Sequence, residues 1–213
     1  MIDPSSIELH QFITKWYGPP DRRFTTPAAK HPQLPAPLQS WFEIEAQWST
    51  PLVRLKRLFS TEEIKVRDGK AIFMTDPGTA IWAFDPASPM DVYEGELYGE
   101  WVKLGENLSE FLVHNAMNEA AHNAPNRRSC ELVDNQQLAD IVAPMTEVAF
   151  AGWQWPRPGH CIFLSETLIA DIGPAMEDQA PWGNRPGYSE VQVGAISASA
   201  LAYLDEIPGI DWY

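Results

Sequence analysis

Between residues 64 and 104, short apolar runs alternate with turn residues, and no stretch between them is long enough for a helix. Ile64 and Val66 alternate with Lys65 and Arg67, Asp68-Gly69 makes a hairpin turn, and Ala71-Ile72-Phe73-Met74-Thr75 returns. Asp76-Pro77-Gly78-Thr79 turns the chain into Ala80-Ile81-Trp82-Ala83-Phe84, which Asp85-Pro86 ends. Asp91-Val92-Tyr93-Glu94 and Trp101-Val102-Lys103-Leu104 supply two further short strands. Parallel neighbours need crossovers of a dozen or more residues, and this spacing leaves no room for them. The segment therefore predicts an antiparallel meander.

Helical patterns flank it. Residues 5–17 place Ile7, Leu9, Phe12, Ile13 and Trp16 at three- and four-residue spacing, with Ser5 or Ser6 as the cap and Gly18-Pro19-Pro20 as the stop. Proline-rich residues 19–37 predict a loop, and residues 38–48 predict a second helix carrying Trp41 and Trp48. Residues 107–123 form the strongest helical pattern, with Asn107 or Ser109 as the cap and Glu110 in the first turn. The expected fold class is α+β, an antiparallel sheet flanked by helices over residues 1–125. A smaller α+β lobe over 126–213 is expected to follow and can share its core. In that lobe, residues 147–150, 161–164 and 188–194 are strand candidates, Gly152 to Gly159 is an aromatic loop, and Ser197 caps a last helix over 198–204.

Charge narrows the partners. The 213 residues carry 29 acidic and 15 basic groups, a formal charge of −14. Nucleic acid and anionic membranes demand a basic footprint, so neither is expected as a partner. The acidity is uneven: residues 1–75 have 8 acidic and 10 basic groups, residues 76–213 have 21 and 5, and the stretch 76–110 sets 8 acids against Lys103 alone. Such a stretch is either a solvated surface or an electrostatic face for a cationic protein. The first residues show neither the basic nor the apolar region of a secretory signal, and no window approaches a membrane span, so the expected compartment is the cytoplasm. Cys130 and Cys161 stand 31 positions apart with no CxxC, which leaves a single disulfide open and gives no zinc-ligand pair.

The search for chemistry is negative. The chain contains no GxGxxG, GxxxxGK[ST], HExxH or GxSxG. His114 and His122 lie two turns, about 12 Å, apart on one helix, too far for one metal ion. Glu119 and His122 form half of a di-iron arrangement whose other half is missing. His160 and Cys161 are adjacent, so on a strand they face opposite ways. Glu94 and Glu96 share a face, but two acids without a sugar cleft do not make a glycosidase. No catalytic residue, metal or cofactor is expected. Trp41, Trp82 and Trp101 fall in core elements, whereas Trp153, Trp155 and Trp182 lie in loops, where they either pack over edges or meet a partner.

The order of these segments resembles the SUKH superfamily, the Smi/Knr-like proteins. The resemblance rests on Leu34-Pro35-Ala36-Pro37-Leu38 opening a Trp-bearing helix, Gly69-Lys70-Ala71-Ile72-Phe73, Thr79-Ala80-Ile81-Trp82-Ala83-Phe84-Asp85, Val92-Tyr93, Trp101, and Leu108-Ser109-Glu110-Phe111-Leu112. It covers about residues 34–120, with a looser echo over 147–213 that resembles an actinobacterial branch ending in an acidic-aromatic tail, here Ile210-Asp211-Trp212-Tyr213. Gln47-Trp48-Ser49-Thr50-Pro51 replaces the Gly-rich stretch usual after the second helix. The resemblance implies an α+β fold, no catalytic site, and a role like that of bacterial immunity proteins, which neutralise toxins, many of them nucleases.

Together these observations make the expected function a non-catalytic protein-binding module, immunity-type, meeting a basic toxin domain through an acidic surface. Asp85, Asp91, Glu94, Glu96 and Glu100 are the candidate contacts and Tyr93 and Tyr98 the candidate anchors. A cytoplasmic scaffold or regulatory domain is the alternative, and an enzyme of unrecognised type is a third.

Overall fold

The computed structural model describes residues 1–22 and 34–213. Part of the loop expected over 19–37, and His31, lie outside them. The chain forms two compact units, one of Ile7–Glu119 and one of Met1–Ser6 with Ala120–Tyr213. Each is α+β with an antiparallel sheet.

In the unit of residues 7–119, helix α1 (Leu9–Tyr17) starts at Leu9 because Glu8 is its cap: the carboxylate accepts the N–H groups of His10 and Gln11. Ser5 and Ser6 instead belong to a 3₁₀ turn, Pro4–Ser6, tied to Asp3. Helix α2 (Ala36–Glu45) begins on Pro35. Strands β1 (Arg57–Leu58), β2 (Lys65–Arg67), β3 (Lys70–Thr75), β4 (Ala80–Asp85), β5 (Ser88–Glu96) and β6 (Trp101–Asn107) follow. They form the expected meander in the order β1-β3-β4-β5-β6, with β2 also pairing β3. Asp68 and Gly69 both adopt positive φ at the β2–β3 turn, the backbone of a two-residue hairpin.

Helix α3 (Leu108–Asn123) closes this unit and enters the next. Asn107 caps it by accepting the N–H groups of Ser109 and Glu110, and Glu110 accepts the N–H of Asn107 in return at 3.0 Å. Trp41 and Trp82 are fully buried, as the sequence suggests, and Phe111 meets Phe73 edge-on at 5.5 Å. Trp101 is only half-buried and lies outside that core.

The unit of residues 120–213 contains β7 (Asn126–Asp134), α4 (Asn135–Val142), β8 (Thr146–Glu147), β9 (Cys161–Leu164), β10 (Leu168–Met176) and β11 (Asn184–Ala195), in sheet order β7-β11-β10-β9-β8. The last helix is 3₁₀, Ala198–Glu206, and the Ser197 hydroxyl meets Ser199 rather than capping it. One face of the sheet, with Leu168, Ala170, Ile172, Val191 and Val193, packs with Ile141, Leu201 and Leu204. Ile2 joins at the β8 side: its N–H donates to the Glu147 carbonyl at 2.7 Å, and its carbonyl accepts the Ala149 N–H at 2.8 Å. Cys130 and Cys161 are both free thiols. Among the described residues, no helix is long and apolar enough to cross a membrane.

Candidate functional site

Two places concentrate chemistry. The first is the β5–β6 hairpin, where the expected partner-binding residues lie. Alternation along β5 turns Val92 and Glu94 inward and Asp91 and Tyr93 outward. Glu94 is therefore buried, at 5% exposure, and does not belong to the surface expected for it. Asp85 and Asp91 reach the surface but are neutralised. The Lys70 ammonium lies 2.8 Å from Asp85, and Lys103 lies 2.7 Å from Asp91. Lys70 also sits 4.3 Å from the centre of the Tyr93 ring, which makes that tyrosine part of a cation–π contact. Lys70 and Lys103 together with the Ala87 N–H draw two of the eight acids of residues 76–110 into local pairs.

What remains open is the turn itself. Glu96, Tyr98 and Glu100 are exposed, Tyr98 at 96%, beside exposed Leu97. The turn is braced from β2. Arg67 donates to the carbonyl oxygens of Glu96, Leu97 and Gly99, and its guanidinium stacks 4.2 Å from the Trp101 ring centre. Gly95 is required here: a Cβ would stand 2.8 Å from the Glu100 carbonyl and 3.0 Å from the Trp101 ring. The result is a stiff tip that presents one aromatic side chain between two carboxylates.

The second place is the other face of the 120–213 sheet. Asp171, 5% exposed, points from β10 between two imidazoles. Its Oδ2 lies 3.0 Å from His122 Nε2 at the end of α3, and its Oδ1 lies 3.1 Å from His160 Nδ1 just before β9. On the far side of that ring, His160 Nε2 is 3.3 Å from Glu190 Oε1 of β11. Glu190 Oε2 is in turn 2.9 Å from Arg157, which also donates to the Pro174 carbonyl at 2.7 Å. Burial opposes charge on His160, but the two carboxylates outweigh it and raise the imidazole to about 9. Burial likewise acts to raise Asp171 and Glu190. The two histidines beside Asp171, and His160 and Arg157 beside Glu190, prevail and hold both below the usual carboxylate range.

No family model, curated protein or solved structure matches the chain.

The remaining candidates have structural partners. His114 Nδ1 pairs with Glu106 at 2.9 Å, both buried. Glu119 is fully buried and accepts the N–H groups of Arg54, Leu55 and Lys56, so it and His122 point to different partners. Among the described residues, no group of three His, Cys, Asp or Glu is placed to hold a metal ion. Cys161 contacts the Ile172 carbonyl, and burial pushes its thiol up to about 11, far from a reactive thiolate. Trp153 is buried and Trp182 is 67% exposed. Trp182 lines a groove of about 630 Å3 whose walls include Glu131, Glu177, Asp178, Glu190 and Asp211. Sequence reasoning missed Arg67, Arg157, Asp171 and Glu190. For Asp171 a signal existed: it is the one charged residue inside the apolar run Leu168-Ile169-Ala170-Asp171-Ile172.

Proposed function

We propose that this chain is a non-catalytic, cytoplasmic protein-binding module that meets a basic partner through the β5–β6 tip, and that it acts as an immunity-type protein neutralising a toxin. The observation that carries the binding reading is Tyr98, nearly fully exposed on a turn that Arg67 holds by three backbone carbonyls. An exposed aromatic ring costs little entropy to immobilise when its backbone is already fixed, which is the character of an interface anchor. Glu96 and Glu100 flank it and supply the charge that steers a cationic surface toward the tip. The toxin is suggested by the resemblance to SUKH proteins.

The test is capture from a lysate of the source organism at low and high salt, with wild type beside a Glu96→Lys/Tyr98→Ala/Glu100→Lys variant. The expected result is a basic protein retained by wild type at low salt and lost in the variant. Expression of that protein alone should then arrest growth, and co-expression of this chain should restore it. Equal capture by the variant, or no basic protein at all, rejects the tip as the contact. A partner lost instead on Glu131→Lys with Asp211→Lys would move the contact to the Trp182 groove.

A further inference from the structure

We infer that the groove beside Trp182 is a small-molecule site for a linear aliphatic polyamine, whose ammonium groups meet unpaired carboxylates while its methylene spacers lie on apolar side chains of the same walls. The inference is independent of the binding reading, since the groove belongs to the unit of residues 120–213 and the tip of residues 96–100 to the other.

The walls of this groove of about 630 Å3 carry five acids and no lysine, arginine or histidine. Two of the acids are already matched: Glu190 lies 2.9 Å from Arg157, and Asp178 lies 3.1 Å from Arg185. Glu131, Glu177 and Asp211 have no cationic partner among the described residues. Three carboxylates around one concavity repel one another and focus a negative potential into it, which a bound cation relieves.

A single metal ion does not answer this arrangement. Among the described residues, no three His, Cys, Asp or Glu side chains are placed to hold one, so the negative charge is spread through the groove rather than gathered at a point. The same walls present hydrocarbon to solvent, with Leu132 40% and Met176 39% exposed. A molecule that fits has several charges spaced by methylene groups, which is the constitution of a polyamine. One lysine or arginine side chain of a protein partner brings a single cation and leaves two carboxylates unmatched. Trp182 adds a second kind of contact. Its indole is 67% exposed, and indole is the best cation–π face among the side chains.

Both walls are fixed before a ligand arrives. On one side the Glu177 N–H donates to the Gly183 carbonyl at 2.9 Å and closes the loop that carries Trp182. On the other, the segment that carries Asp211 is fastened at three points. The Pro208 carbonyl accepts from Gln137 at 3.0 Å, the Trp212 indole donates to the Leu204 carbonyl at 3.3 Å, and the Tyr213 N–H donates to the Ser129 carbonyl at 3.0 Å. A ligand therefore orders little of the protein on entry, which keeps the entropic cost of binding low. The volume also falls in the range of about 300–1,000 Å3 usual for small-molecule sites.

Isothermal titration calorimetry of the full chain with spermidine tests this. At low salt, wild type should bind one equivalent saturably. Glu131→Gln with Asp211→Asn should weaken binding about tenfold, the combined effect of two exposed ion pairs, and Trp182→Ala about fivefold. Glu96→Gln with Glu100→Gln, at the tip, should leave it unchanged, and magnesium chloride at equal charge should not displace the polyamine. All these variants replace exposed side chains, so each should fold as wild type does. Absence of saturable binding overturns the proposal. So does equal weakening by the tip variant or displacement by magnesium, since either reduces the groove to part of a diffuse counterion cloud. A lysine-rich peptide that occupies the groove where spermidine does not would overturn it in favour of a protein partner. Spermidine binding can stand while capture at the tip fails, and the reverse, because the two sets of variants lie in different units.

Discussion

Several buried polar side chains in this protein fasten backbone. Glu119 is the clearest case. One buried carboxylate accepts three successive N–H groups, from Arg54, Leu55 and Lys56, and so ties the irregular stretch before β1 to α3. Lys56, itself buried, lies 4.0 Å from it and donates to the neighbouring Asn118. Glu119→Gln keeps the shape but sets an amide NH₂ against backbone donors and removes the counter-charge of Lys56. The expected cost is about 3 kcal/mol, from buried donors left without an acceptor. Urea denaturation of the two proteins measures it; a loss within experimental error would show that water replaces the carboxylate.

Among the elements, the β5–β6 hairpin depends on a residue outside it. Arg67 crosses from β2 to three carbonyls of the turn. Arg67→Ala should leave the melting temperature nearly unchanged and raise amide exchange over residues 96–100 at least tenfold, because only a surface turn loses its brace. Exchange confined to wild-type rates would mean that the strand register alone holds the tip. This hairpin was legible in the sequence, since alternation and turn residues mark β2 to β6. The strands β7 and β10 were not. β7 carries only two buried residues, Cys130 and Val133, so it offers no alternation to read. β10 has the opposite problem: it is buried on both faces, so it shows no alternation, and Gly173 and Pro174 interrupt its apolar run. With β10 unmarked in the sequence, Asp171 and its contacts to His122 and His160 go unmarked too. Glu94 failed for another reason. Sequence alternation places it on one face with Val92, but nothing in the local pattern says which face is wet.

For the whole molecule, several of the acids are not free: Asp85, Asp91, Asp171 and Glu190 each face a basic side chain. Those pairs fix how stability depends on pH. His160 is raised from 6.5 to about 9 on folding, so its contribution is complete below 6.5 and is lost as pH rises through 9. Cys161, raised from 9.0 to about 11, extends the decline. Asp171 and Glu190 are lowered, so their contribution is present above the ordinary carboxylate range and is lost as pH falls beneath it. Denaturation across pH should give a maximum in mildly acidic solution with an alkaline decline that begins near neutrality. Asp171→Asn should flatten that decline; an unchanged slope would assign it to other groups.

The pairing of Ile2 with residues 147–149 has a consequence for how the chain is made. A ribosome delivers Met1–Ser6 well before residues 146–149, so their seat beside β8 does not yet exist when they emerge. Residues 7–119 can assemble in the meantime from neighbours already present. Met1–Ser6 thus wait for a partner made later, and closing the distance from residue 2 to residue 148 is a long-range step in maturation.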